Sequence, residues 1–276
     1  MTGTFAARCA LGMALLFSTA GALAGEVVRP RAKAIVWPHG ARAAVSLAYD
    51  DALDSQLDKA IPVLDQYGLK ATFYLQLSQP SVSRRMADWR RAALAGHELG
   101  NHSLFHQCSS SAPDRAWVQP HRDLDRISVA QIKDQVTLAN TMLHAIDGRR
   151  ERTFTAPCGD LKAGGQYYLP AIAAEFVAIK AGGGSGAALS MDALDPYAVA
   201  VLAPVNLSGQ QMIDIVKLAG ARGTMVNFTF HGIGGDYLAV SAQAHGELVK
   251  FLAEHRDQYW TDTFINIMQH VKANPQ

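Results

Sequence analysis

Residues 43–51 read Ala-Ala-Val-Ser-Leu-Ala-Tyr-Asp-Asp, an apolar run that ends in two adjacent carboxylates. Such a run is typical of a buried strand. The segment that follows, 55–67, has helical periodicity and stops at Gly68. Because strand-like and helix-like patterns continue to alternate along the chain, the sequence predicts repeated βα units and an α/β fold with a parallel sheet or barrel.

The other predicted elements are assigned by the same patterns. We expect strands at 70–76, 97–101, 153–156, 176–180, 198–202, 224–230 and 260–262, and helices at 82–95, 132–146, 213–219, 242–255 and 264–271. Ser128 with Gln131, and Ser208 with Gln211, form capping-box patterns before two of the helices. In parallel folds of this kind, ligands collect at the C-terminal ends of the strands.

Four short polar segments fall at such strand ends. They are Tyr49-Asp50-Asp51, His102-Ser103-Leu104-Phe105-His106, Thr155-Ala156-Pro157-Cys158-Gly159 and Phe230-His231-Gly232. Each is a weak signal alone. Their shared position predicts one pocket.

The spacing of His102 and His106 suits a metal site. On a helix, or on a turn that enters one, residues four apart lie on one face, so both imidazoles can reach one ion. A carboxylate is the commonest third ligand, and two histidines with one carboxylate leave positions open for water and substrate. The alternative is a pair of surface or hydrogen-bonded core histidines without a metal.

The carboxylates and the late histidine have two interpretations each. One of Asp50 and Asp51 can bind a metal while the other remains a base; alternatively, Asp51 or Asp54 caps the next helix. His231 can serve as a general acid near neutral pH, or its ring can be satisfied by a loop carbonyl.

The N-terminus predicts export. Arg8 precedes the apolar run 11–17, and Ala22-Leu23-Ala24 supplies small residues for cleavage, so we expect a secretory signal peptide at 1–24. An uncleaved anchor is the alternative, although the apolar run is short for a membrane span. We expect an irregular segment at 25–42, a catalytic domain at 43–276, and a periplasmic or extracellular location without stable membrane insertion after cleavage.

The charge and the cysteine content bear on the expected partners and on a possible disulfide. The formal net charge is +1 and no lysine or arginine block stands out, so nucleic acid is not an expected partner. Signal cleavage would leave two cysteines, Cys108 and Cys158. They are either a disulfide, which an oxidising compartment permits, or two free thiols.

Together these segments resemble the polysaccharide deacetylase family, also called the NodB-homology domain or carbohydrate esterase family four. The run Gly96-His97-Glu98-Leu99-Gly100-Asn101-His102-Ser103-Leu104-Phe105-His106 is the most specific part of the resemblance. The resemblance implies a distorted (β/α) barrel that binds one divalent metal ion, usually zinc, and acts on an acetylated glycan.

The resemblance also implies a role for each site residue. Asp51, His102 and His106 would be the metal ligands, Asp50 the general base and His231 the general acid. The turn Pro157-Cys158-Gly159 would contact the substrate, with a backbone N–H near Cys158 stabilising the oxyanion.

The chain departs from the family pattern at several positions. Thr155 stands where an arginine usually orients the base, and Arg152 is a candidate to replace it. Cys158 stands where an aromatic residue is usual, and a disulfide to Cys108 would tie it to the metal motif. Ala52 replaces a commoner glycine. Asp192 and Asp195 are the candidates for the aspartate that tunes the acid histidine.

Three functions remain open at this point. The first is an exported metal-dependent hydrolase that removes acetyl groups from a polysaccharide or oligosaccharide. The second keeps the site but acts on a non-glycan amide or imide. The third is a non-catalytic carbohydrate-binding protein, which would need neither a base at Asp50 nor an acid at His231.

Overall fold

The computed structural model describes residues 35–184, 186–188, 190–192 and 194–275. The expected signal peptide and the first part of the irregular segment lie outside these residues. Within the described part of the chain, the helices are all too short or too polar to span a bilayer.

The elements follow the predicted order. The strands are β1 (Ala43–Asp50), β2 (Thr72–Leu75), β3 (Glu98–Asn101), β4 (Thr153–Thr155), β5 (Lys162–Ala163), β6 (Gln166–Tyr167), β7 (Ala178–Gly183), β8 (Val199–Val201), β9 (Met225–Phe230) and β10 (Tyr259–Asp262). The α-helices are α1 (Ile61–Gln66), α2 (Pro80–Arg84), α3 (Met86–Leu94), α4 (Val129–Asp147), α5 (Leu169–Ile172), α6 (Gly209–Arg222), α7 (Ala242–Glu254) and α8 (Phe264–Ala273).

The parallel strands form a nearly closed barrel, which confirms the predicted distorted (β/α) barrel. The order β1-β2-β3-β4-β7-β8 continues through a parallel bridge from Leu202 to Phe228 of β9, and β9 pairs with β1. The barrel is distorted at β1, because two different strands form hydrogen bonds along the same edge of β1. Its first half, 43–46, pairs with β10, and its second half, 48–50, pairs with β2. A small antiparallel hairpin, β5 with β6, lies outside the barrel.

The core lies between the barrel and its helices. All eight residues of β1 are buried. Leu47 and Tyr49 belong to the same buried cluster as Met212 and Val216 of α6 and Leu248 of α7. Burying an apolar side chain of this size contributes about 1.5–3 kcal/mol, so the helices are held to the barrel mainly by this face.

Two predicted helices differ in detail from the observed ones. The predicted helix 82–95 is two helices, because Pro80 begins α2 and Arg85, with a non-helical φ of −122°, separates α2 from α3. The predicted helix 55–67 begins with a π-helical turn, Gln56–Ala60, before α1. Both predicted capping boxes, at Ser128 and Ser208, are present.

His245 of α7 is a buried titratable group that faces the barrel wall. Its Nε2 lies 2.6 Å from the Tyr49 hydroxyl, and its ring packs edge-on against Tyr49 and Phe230. Burial lowers the pKa of His245 to about 4. The folded protein therefore holds this imidazole neutral at pH values where an unfolded histidine already takes up a proton.

We expect His245 to make the fold less stable as pH falls from about 6.5 to about 4. Between these pH values the unfolded state binds a proton at this histidine and the folded state does not, so acid favours unfolding. The free energy of unfolding is therefore higher above about pH 6.5 than below about pH 4, by up to ~3 kcal/mol. Urea unfolding of the parent and of His245→Gln, at pH about 7 and about 4.5, measures the effect. The variant should lose less stability on acidification. Equal losses in the two proteins would contradict the prediction.

Candidate metal centre

Asp51, His102 and His106 converge at the C-terminal end of the barrel. Each offers one ligand atom, and the three atoms lie within 4.8 Å of one another. Asp51 Oδ1 is 3.1 Å from His102 Nε2 and 3.1 Å from His106 Nε2. Asp51 and His102 are buried, and His106 is slightly exposed to the cleft. The predicted ligand set is therefore brought together in space.

The turn after β1 lets both aspartates face this cleft. Successive strand residues would point to opposite sides, but Asp51 and Ala52 have left-handed φ values of 77° and 55°. This conformation costs an L-residue about 1–2 kcal/mol, which accounts physically for a preference for glycine at position 52. Asp51 faces the histidines, and Asp54 pairs with Arg84 and Arg85, so the helix-capping alternative is wrong for both.

The segment from His102 to His106 is not helical, so the expectation of a shared helical face was wrong. Ser103 and His106 adopt left-handed φ values of 62° and 49°. Two local hydrogen bonds hold the turn: the Ser103 N–H donates to Asn101 Oδ1 at 2.8 Å, and the His106 N–H donates to Ser103 Oγ at 3.0 Å. The turn brings the two imidazoles to a centroid distance of 4.7 Å.

The contacts of the two His102 ring nitrogens fit a cation at this site. Nδ1 lies 2.9 Å from the Thr155 carbonyl oxygen, which only accepts, so Nδ1 carries the hydrogen of a neutral ring. The lone pair of Nε2 then points at Asp51 Oδ1, and two such atoms at 3.1 Å repel each other unless a cation or a proton lies between them. A set of two imidazole nitrogens and one carboxylate oxygen suits zinc.

Electrostatics agree with this fit. Burial alone would raise the pKa of Asp51, but the imidazoles of His102 and His106 outweigh it and hold that pKa well below its usual range. Burial would lower the pKa of His102, but Asp50 and Asp51 raise it overall. The aspartate is therefore an anion, as a ligand must be.

Asp50 lies beside this cluster with a free oxygen. Its Oδ2 is 3.9 Å from His102 Nε2 and accepts a long hydrogen bond of 3.5 Å from Thr155 Oγ1. Its buried Oδ1 has no hydrogen-bond partner among the described residues. Burial raises the pKa of Asp50, and His102 and His231 partly oppose that increase. A carboxylate with a raised pKa and an unoccupied acceptor is suited to take a proton.

His231 stands across the cleft at the end of β9. Its Nε2 is 3.8 Å from Asp51 Oδ2, and its buried Nδ1 has no hydrogen-bond partner in the described part of the chain. Neither of the candidate tuning residues contacts it: Asp195 accepts from the Tyr197 N–H, and Asp192 lies exposed on a turn.

Sequence patterns did not single out Tyr237, which contacts the candidate ligand Asp51. Its hydroxyl donates to Asp51 Oδ2 at 2.8 Å, which leaves Oδ1 facing the histidines. Tyr237 reaches Asp51 because the loop after β9 folds back, with the Gly232 N–H donating to the Tyr237 carbonyl at 3.0 Å. A Cβ on Gly232 would lie 2.0 Å from the Gly235 oxygen, so the glycine at 232 is the sequence signal for this close approach of the backbone.

The turn after β4 is tied to the metal motif by a covalent bond. Cys108 and Cys158 form a disulfide with a Cα–Cα distance of 5.9 Å. Cys158 itself has a left-handed φ of 58°, and Pro157–Gly159 forms a single 3₁₀ turn. Cys158 lines the cleft. Disulfide sulfurs are not thiolates, so these cysteines do not form a second metal site with His106.

Arg152 does not replace the arginine absent at position 155. Its guanidinium donates to both oxygens of Asp147, at 2.7 and 2.5 Å, and to the Leu99 carbonyl at 3.1 Å. The side chain is fully buried in these contacts and is absent from the lining of the cleft. Arg152, the candidate to orient Asp50, is therefore excluded from that role.

A cleft of about 1040 Å³ surrounds the site. Its outer walls carry large side chains that are well exposed, Phe105, Trp117 and Leu238. Arg122 packs over the Phe105 ring at 4.6 Å and Arg115 over the Trp117 ring at 5.8 Å. This volume exceeds what a single small ligand needs, so a larger molecule can be accommodated.

Curated proteins match only part of this chain. A Bacillus gellan lyase is 28% identical over 144 residues, 51% of this chain and 5% of that protein. The uncharacterized protein YlxY of Bacillus subtilis (strain 168) is 26% identical over 106 residues, 38% of this chain and 28% of that protein. The chain thus spans a small part of the curated relatives it matches.

Solved structures match over most of the chain. The Xyl-CE4 domain of a multidomain xylanase from the hindgut metagenome of Trinervitermes trinervoides has a TM-score of 0.55 and 19% identity, covering 84% of this chain and 93% of that chain. Peptidoglycan deacetylase PdaC from Bacillus subtilis has a TM-score of 0.53 and 19% identity, covering 84% and 92%. A mutant of BA3943, a CE4 family pseudoenzyme, has a TM-score of 0.53 and 17% identity, covering 82% and 67%.

These structural similarities establish the fold alone. The model of the family described as polysaccharide deacetylase matches residues 38–169, a range that contains Asp50, Asp51, His102, His106 and the Cys158 turn. Over residues 38–169 the chain is therefore similar to the polysaccharide deacetylase family, which confirms the resemblance noted in the sequence.

Proposed function

We propose that this protein is a metal-dependent hydrolase that removes acetyl groups from an acetylated polysaccharide or oligosaccharide. One observation carries the proposal: the unpartnered carboxylate oxygen of Asp50 and the imidazole of His231 flank the cluster of Asp51, His102 and His106. A site that combines a candidate ion cluster with a base and an acid fits hydrolysis better than binding alone.

Asp51, His102 and His106 would hold one divalent ion, for which we propose zinc. When bound, the ion supplies Lewis acidity, which polarises the acetyl carbonyl and makes water easier to deprotonate. Asp50 accepts the proton of the attacking water at Oδ1. The Cys158 N–H donates to the negative charge that develops on the acetyl oxygen. His231 gives a proton to the departing amine or alcohol, so the glycan leaves as a neutral group.

A glycan as substrate is supported by the cleft and by the family. The cleft is large, and Phe105 and Trp117 present exposed aromatic rings on its wall, which suit the apolar faces of sugar rings. The family model is that of polysaccharide deacetylases.

We further propose that the chain is exported and acts in the periplasm or outside the cell. The signal-peptide pattern at 1–24 supports export. The Cys108–Cys158 disulfide also supports it, because disulfides persist in oxidising compartments. Nucleic acid is not a proposed partner, since the net charge is only +1.

A second candidate is hydrolysis of a non-glycan amide or imide. It keeps every role above and is favoured by one observation, the replacement of the usual aromatic residue by the disulfide-bonded Cys158 beside the reacting groups. A non-catalytic binding protein is less well supported, because Asp50 and His231 are both present and face the same cluster.

Acetate release tests the proposal. The chain from Gly25 should release acetate from at least one of acetylated xylan, chitin oligosaccharides and peptidoglycan, lose this activity with a chelator and regain it with zinc. Release of acid only from simple amides or imides would favour the second candidate. Tight glycan binding by the zinc-loaded protein without any release would favour the binding protein and overturn the proposal.

A further inference from the structure

The interior of the barrel holds a buried ionisable side chain, that of Lys180. Lys180 lies on β7 and is 1% exposed. Its Nζ donates to Ser46 Oγ at 3.2 Å and to the Phe228 carbonyl at 3.5 Å. A buried lysine without a charge partner is strongly disfavoured, so its position calls for a physical reason.

The groups around Nζ are suited to a cation. Ser46 Oγ and the Phe228 carbonyl accept hydrogen bonds, and Nζ also lies 4.7 Å from the centroid of the Phe264 ring and 5.7 Å from that of Tyr74. Ring faces and oxygen acceptors attract an ammonium. Burial lowers the pKa of Lys180 to about 7, and the charges of Asp50 and Glu98 oppose that decrease.

Two buried carboxylates, Asp50 and Glu98, attract the charged form of Lys180. Glu98 of β3 is 3% exposed and accepts hydrogen bonds from Thr72, Thr153 and the Ile265 N–H. Asp50 is 5% exposed at the top of β1. Among the described residues Lys180 forms no ion pair within 4 Å, so its attraction to these two carboxylates acts at longer range, and buried charges are weakly screened.

Strand register brings Lys180 to the level of Asp50. In the β4–β7 pairing, Lys180 is the partner of Thr155, and paired residues on adjacent strands point to the same side of a sheet. Thr155 Oγ1 is the group that touches Asp50 Oδ2. Lys180 also lines the cleft, whereas Arg152 is held by Asp147. The register thus places a lysine of β7 at the level of the Thr155 hydroxyl that contacts this carboxylate.

We propose that Lys180 is the positioning residue of the candidate base: its ammonium, held by Ser46 Oγ and the Phe228 carbonyl, balances the charge of the Asp50 carboxylate from inside the barrel. This inference rests on the proposed function, in which Asp50 accepts the proton. In this proposal Lys180 acts through Asp50 and not on the substrate itself.

Lys180→Met, which keeps the length of the side chain without its charge, tests the proposal. We expect kcat to fall about 10-fold to 100-fold, part of the 10²–10⁴-fold that a general base contributes, while KM and zinc content stay within about twofold. Lys180→Arg should keep most of the activity. In the Asp50→Asn background, Lys180→Met should have no further effect on kcat.

Glu98→Gln separates positioning from a structural role. A lysine that serves only to neutralise Glu98 would be dispensable in that background, so Glu98→Gln/Lys180→Met would regain both stability and kcat. A lysine that positions Asp50 would leave kcat low in the double variant, whatever the stability. Recovery of kcat in the double variant, or a kcat within twofold of the parent in Lys180→Met, would overturn the proposal.

A readout without catalysis keeps the proposal testable if the protein releases no acetate. In urea unfolding of the zinc-free protein, Lys180→Met should be more destabilising with Asp50 present than in the Asp50→Asn background. Identical shifts of the unfolding midpoint in the two backgrounds would overturn the inference. If the protein releases no acetate but Lys180→Met is more destabilising with Asp50 present, the proposed function is wrong and the inference about Lys180 and Asp50 stands.

Discussion

Asp50→Asn is expected to lower kcat by about 10²–10⁴-fold and to leave one bound metal ion per chain, because asparagine has the shape of the base but cannot accept the proton. The loss of activity is expected because Asp50 Oδ1 has no hydrogen-bond partner among the described residues. The metal is expected to stay because Asp50 is not one of the three candidate ligands, whose ligand atoms lie within 4.8 Å of one another. Steady-state kinetics with metal analysis of the same preparation measures both effects.

Asp54→Asn is the matched control for this substitution. Asp54 lies three residues after Asp51 and pairs with Arg84 and Arg85 on the surface, so its variant should keep both activity and metal. Loss of the ion from the Asp50→Asn protein would mean that Asp50 and Asp51 have exchanged roles. Undiminished activity would remove Asp50 from the mechanism.

Removal of the two histidines is expected to abolish metal binding. The His102→Ala/His106→Ala variant keeps only Asp51 of the three candidate ligands, and one carboxylate does not hold a zinc ion against its hydration. We expect the metal content to fall from about one ion per chain to near zero, with complete loss of the acetate release that the ion supports.

His121→Ala is the control for that variant, since His121 is exposed and lies outside the cluster. Its metal content should equal that of the parent. Full metal content in the double histidine variant would place the ion elsewhere, and no metal in the parent even after zinc is supplied would favour the binding-protein hypothesis.

Much of the barrel and of the candidate site could be predicted because both depend on local patterns. Apolar runs mark the strands, and polar residues directly after them meet at one end of a parallel barrel, as Asp51, His102 and His231 do. Caps at Ser128 and Ser208 follow from side chains three residues apart. These features need no knowledge of which strands are neighbours.

The features that were missed depend on backbone strain or on long-range register. Ser103 and His106 have left-handed backbone conformations, so the segment from His102 to His106 is not the helical turn that its spacing suggested. No local sequence pattern predicts these conformations. Lys180 reaches the level of Asp50 only through the pairing of β7 with β4. Tyr237 reaches Asp51 only through a folded-back loop, across 186 residues of sequence.

The Cys108–Cys158 disulfide has a consequence for how the proposed metal site would exchange an ion. It cross-links positions 50 residues apart. The lost loop-closure entropy of the unfolded chain stabilises the folded state by about 4 kcal/mol at 25 °C. The turn that carries His106 therefore stays fastened to the barrel when a chelator strips the site, unlike in domains that the metal itself folds. Under non-reducing conditions the stripped protein is a preassembled receptor, into which cobalt or another spectroscopic ion can be loaded without refolding.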